Sequence, residues 1–71
     1  MSKEKYDGIK EALEYAEYTG QSVNVGLFRG GEGVKIEGFI EKLFDYSFRI
    51  RLETGELDRV KYSEVEYVEY S

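Results

Sequence analysis

Apolar residues alternate with polar ones through Val34–Glu53, where Ile36, Gly38 and Ile40, then Phe48, Ile50 and Leu52, hold the even positions. A period of two marks a half-buried strand. The stretch therefore predicts two strands with their even positions inward, joined by the short polar–aromatic link Phe44-Asp45-Tyr46-Ser47. Upstream the period changes. Tyr6, Ile9, Leu13 and Ala16 recur at three- and four-residue spacing, which predicts a helix over 3–19 with one narrow apolar stripe. Ser2 or Asp7 suits its start, and Gly20 suits a left-handed C-terminal cap. Gln21 to Phe28 reads as the first strand, with Val23, Val25 and Leu27 on one side, and Gly26 within it predicts a bend or a close backbone approach. Arg29-Gly30-Gly31-Glu32-Gly33 reads as a hairpin tip. Leu57 to Tyr62 gives a fourth strand, Ser63-Glu64 an interruption, and Val65 to Tyr70 a short last strand. The fold class that follows is mainly β with an N-terminal α-helix. It is a single domain, 1–71, built as a five-stranded, strongly bent antiparallel small barrel with the helix on one end.

The polar positions of the same strands carry the binding chemistry. If Thr54-Gly55-Glu56 is a three-residue loop, Arg51 faces Arg59, Ile50 faces Val60 and Arg49 faces Lys61, which keeps the apolar residues on one side. Arg49, Arg51, Arg59 and Lys61 then cluster on the outer face. Like charges directly opposite one another destabilise a sheet unless something compensates. Glu37 and Glu41 on the second strand are placed to do so, giving an ion-pair ladder; the other reading is a positive patch for a carboxylate-rich protein or a phosphate. On the helix, Asp7, Glu11, Glu14 and Tyr18 share a different side from the apolar stripe, either a solvated face or a docking face for a basic partner.

Tyrosine defines one more surface. Tyr62, Tyr67 and Tyr70, with Tyr15, Tyr18 and Tyr46, are too many for so small a domain to bury. Val65 and Tyr67 against Val68 and Tyr70 give the last strand two apolar faces, so Tyr67 and Tyr70 predict a protein contact. A second copy adding to this edge would make a homo-oligomer.

Composition narrows the chemistry. With 71 residues and neither Cys nor His, the chain has no disulfides, no thiol catalysis and no metal or haem site built on those ligands. Its net charge of −5 disfavours non-specific nucleic-acid binding, which depends on neutralising phosphates. The three glycines after Arg29 lack the Lys-Ser/Thr pair and following helix of a phosphate loop. No recognisable nucleophile–base arrangement is present, and Asp45 is the type of residue that fixes a turn. The expectation is a non-enzyme with no cofactor, no metal and no membrane span. Its predicted place is the cytoplasm, without a signal peptide.

From Val23 to Glu69 the pattern resembles the YolD-like family of Firmicutes and their phages. The likeness lies in the V-x-V-x-L-F strand, the Gly-bearing tip, KIEGFIEKLFDYSFRIRLETGE and RVKYSEVEYVE. It implies a small barrel with a regulatory or accessory role beside Y-family translesion polymerases in DNA repair, or in phage–host regulation. The same segment is similar to the Sm-like fold, with Gly38, Asp45 and Leu52 near positions of its first signature. That likeness carries the alternative of single-stranded RNA or DNA binding, but the residues of the RNA site differ. Ser47 and Phe48 stand where an Asn is expected, and Tyr62-Ser63-Glu64 replaces the expected basic–Gly pair. A third reading is a phage inhibitor of a host protein that uses the acidic helix face.

Overall fold

The computed structural model describes the backbone of residues 3–70 and the side chains of residues 7–70, which leaves Ser2 and the Tyr6 side chain outside the described set. Helix α1 (Lys3–Thr19) is followed by β1 (Ser22–Arg29), β2 (Glu32–Leu43), β3 (Ser47–Leu52), β4 (Leu57–Lys61), a 3-10 turn (Tyr62–Glu64) and β5 (Val65–Tyr70). Asp7 lies inside α1 and does not cap it. At the other end the N–H of Gly20 donates to the Ala16 carbonyl at 2.9 Å, with Gly20 at φ 73°, which satisfies one of the last orphan carbonyls.

All strand pairs are antiparallel, in the order β4-β3-β2-β1-β5. The mainly β fold class with one N-terminal helix is the one the alternation predicts. The terminal strands β4 and β5 are not paired with each other among the described residues, so the bent sheet stays open and does not close into the predicted barrel. Helix α1 lies against β2, β5 and the 3-10 turn, and its Ile9, Leu13 and Ala16 join Val23, Val25, Leu27, Phe48, Ile50 and Val60 in one core. Gly38 permits the bend. A Cβ there would lie 2.2 Å from the Arg51 carbonyl oxygen, so β2 and β3 approach more closely than any side chain allows.

Two bulges reset the alternation. In β2, Ile40 faces Ile50 but Lys42 faces Arg49, leaving Glu41 as the extra residue. In β5, Tyr67 faces Gly26 but Val65 faces Leu27, leaving Glu66 extra. The second bulge brings Val65, Val68 and Tyr70 to one side, so β5 has a single continuous inner face, not the two apolar faces predicted from its sequence. Tyr67 alone turns outward, its ring lying where a Cβ of Gly26 would be.

The β3–β4 register differs from the predicted one by two residues. Arg49 faces Arg59, Arg51 faces Leu57, Ile50 faces Asp58 and Ser47 faces Lys61. Leu52 N–H donates to the Glu56 carbonyl at 2.8 Å, and Gly55 N–H to the Leu52 carbonyl at 2.9 Å. The loop is thus Glu53-Thr54-Gly55. Three-residue hairpins need a left-handed residue in the last position, and Gly55, at φ 92°, supplies it there and not in the middle. A shift of two preserves the faces, which is why the apolar pattern could not reveal it.

Candidate interaction surface

The corrected register and the Glu41 bulge together build a row of cations across three strands. Arg49 on β3 stands between Lys42 on β2 and Arg59 on β4, each a direct cross-strand neighbour. Without the bulge Lys42 would face the core; with it, Lys42 joins the outer face. Lys61 extends the group along β4, and Arg51 lies one step along β3. Arg59 is fixed in place: its Nε donates to Ser47 Oγ at 3.1 Å, and its guanidinium lies 4.5 Å from the centroid of the Phe44 ring. Lys42 Nζ lies 5.6 Å from the centroid of the same ring, so one aromatic ring receives two cations.

The ladder expected from Glu37 and Glu41 reaches Arg51 and not Arg49. Arg51 Nε reaches Glu41 Oε1 at 3.9 Å, between two solvent-exposed groups where such a contact contributes little. Glu37 stands across from Asn24 of β1. Among the described residues, no carboxylate lies within ion-pair distance of Lys42, Arg49, Arg59 or Lys61.

A second cluster, engaging the other face of β4, has no counterpart in the sequence reading. Arg29, at the end of β1, donates from Nε to Glu64 at 3.0 Å and from Nη1 to Asp58 at 3.2 Å. It bridges β1 to β4 and to the 3-10 turn, across the gap where the sheet fails to close. Glu64 also accepts from the Lys61 N–H at 3.0 Å. That backbone hydrogen bond, with Arg29 beside it, holds the Glu64 carboxyl below the usual carboxylate range. The Glu64 and then the Asp58 hydrogen bonds push the Arg29 guanidinium further up.

The tyrosines divide between core and rim. Tyr62 is fully buried, stacks on Phe48 at 5.7 Å and donates its hydroxyl to the Phe44 carbonyl at 2.8 Å, so it is a core residue and not part of an interface. Tyr70 packs edge-on against Tyr15 at 5.7 Å and donates to the Ala12 carbonyl of α1 at 3.2 Å. Tyr67 covers Gly26. Both keep under half of their surface exposed, 41% for Tyr67 and 45% for Tyr70, and each already has a partner within the chain. Asp7, Glu11, Glu14 and Tyr18 do share one exposed side of α1. They border open depressions, one of about 730 Å³ that runs to Leu43, Phe44 and Asp45. Asp45 is exposed in the β2–β3 turn, beneath which Phe44 N–H donates to the Ser47 carbonyl at 2.8 Å.

Neither protein-family models nor curated proteins give a match to this chain. Among the described residues, no group of three or more His, Cys, Asp or Glu converges as a metal site, and no helix is long and apolar enough to cross a membrane.

Proposed function

We propose that this chain is a non-enzymatic interaction module with a regulatory or accessory role in the cytoplasm. It docks a carboxylate-bearing protein partner through Lys42, Arg49 and Arg59, with Arg51 and Lys61 at the margin. One observation carries the reading: three cations stand directly opposite one another, and among the described residues no carboxylate is paired to them. Such a row costs stability, about 0.2–1 kcal/mol for each opposed pair. A sheet under selection for stability alone would interleave acids there, and this chain has fifteen to draw on. The row also sits on rigid strands, with Arg59 held by Ser47 and Phe44, so little side-chain entropy is lost when it binds. The YolD-like pattern of Val23–Glu69 adds a setting: an accessory role beside a translesion polymerase, or in phage–host regulation.

Charge reversal tests the proposal. Arg49→Glu/Arg59→Glu is expected to stay folded by circular dichroism while losing the proteins that wild type retains from a bacterial lysate. A salt titration with single-stranded RNA and DNA checks the competing class. Binding near physiological salt with a steep salt slope would move the function to nucleic acid.

A further inference from the structure

We infer that the segment this face recognises is acidic and apolar at once: a peptide whose carboxylates meet Lys42, Arg49 and Arg59 while two large apolar side chains seat on Phe39 and Leu57. This rests on the row being a docking surface and goes on to name what docks. The next rung of the outer face is Phe39 on β2, Arg51 on β3 and Leu57 on β4, in direct register. Phe39 is 44% exposed and Leu57 54%. Single exposed apolar residues are ordinary on a protein surface. Here two of them flank one arginine at roughly 10 Å from each other, two strand spacings, and the cation row runs parallel about 7 Å away, two residues along the strand.

The face therefore presents an apolar rung with a cation at its centre beside a purely cationic rung. Its charge complement is acidic, and its apolar complement is a pair of anchors on either side of the Arg51 stem. A polyphosphate strand fits less well. The one aromatic within the cation row, Phe44, already carries Arg59 and Lys42 over its ring; Leu57 offers no face for a base; and Glu41 stands beside Arg51.

The test is selection from a randomised twelve-residue peptide display library on the full chain, with affinities of the enriched peptides then measured on three proteins. Wild type is expected to enrich sequences that combine Asp or Glu with Leu, Ile, Phe or Trp. Those peptides are expected to bind Phe39→Ser/Leu57→Ser about tenfold or more weakly, and Arg49→Glu/Arg59→Glu not at all. Both variants change exposed positions only, and thermal unfolding confirms that they fold. Enriched peptides that are acidic without apolar preference and bind the Ser variant as tightly would sink this inference yet leave the docking row standing. Peptides that bind the charge-reversed variant as well as wild type would remove both. Selection of no acidic peptide overturns the inference, as does binding of dT or rU twelve-mers in place of peptide.

Discussion

The two charge clusters of this sheet are built from similar residues and solve opposite problems. Behind the outer face Arg29 is met by Asp58 and Glu64, half-buried, in a network that joins strands the sheet does not pair. On the outer face Lys42, Arg49 and Arg59 are met by no carboxylate among the described residues. The single cation of the first cluster, Arg29, is answered within the fold, so its job is structural. The second is left open by a chain with acids to spare. The contrast separates charges that hold the molecule together from charges that are available to another one.

Removing the floor shared by both clusters should have the largest effect. Phe48 is fully buried between Leu43 and Val60 and stacks on Tyr62, so Phe48→Ala is expected to lose about 3–5 kcal/mol in urea unfolding and to take both clusters with it. Arg29→Met attacks the balanced cluster alone. It leaves Asp58 and Glu64 without the Arg29 guanidinium and should cost about 1 kcal/mol, below the range for buried charged hydrogen bonds because Arg29 is partly solvated. If it costs nothing, the gap between β1 and β4 is held by the core and not by the clamp.

Acid sharpens the same point. Glu64 titrates below its ordinary value in the folded chain, first through the Lys61 N–H and then through Arg29. Its contribution is therefore complete above the ordinary carboxylate value and is lost as pH falls through the lowered folded one. Glu64→Gln should be less stable than wild type at neutral pH, and the two unfolding midpoints should converge as pH drops below about 4. A gap that persists at low pH would mean that the charge of Glu64 is not what matters. Arg29 stays charged throughout this window.

Much of this was legible in the sequence, and the part that was not has a common cause. Period two in Val34–Glu53 and period 3.6 in the helix predict the elements and most of the core, because burial acts on every second or fourth residue. Bulges and loop register leave that signal almost unchanged. A two-residue shift between β3 and β4 keeps each face intact, so Arg59 moves from Arg51 to Arg49 without disturbing the apolar pattern. The Glu41 bulge did leave a trace: Leu43 breaks the even-numbered series, and reading that break would have turned Lys42 outward. Phe39 and Leu57 sit at polar-face positions and had no periodicity to announce them. Arg29 lay at a glycine-rich tip, and its partners are 29 and 35 residues away, a distance over which pattern carries no information.

The smallest expected change is also the most telling. Arg49→Glu places one carboxylate between Lys42 and Arg59 and converts two repulsive neighbours into two attractive ones. Urea unfolding at low salt should show it more stable than wild type by about 0.3–1 kcal/mol, with the gain shrinking as salt screens the pairs. That outcome would mean the wild-type row is held against the stability of the fold. A loss of about 1 kcal/mol or more would contradict the account, because Arg49 would then be serving its own sheet and not a partner.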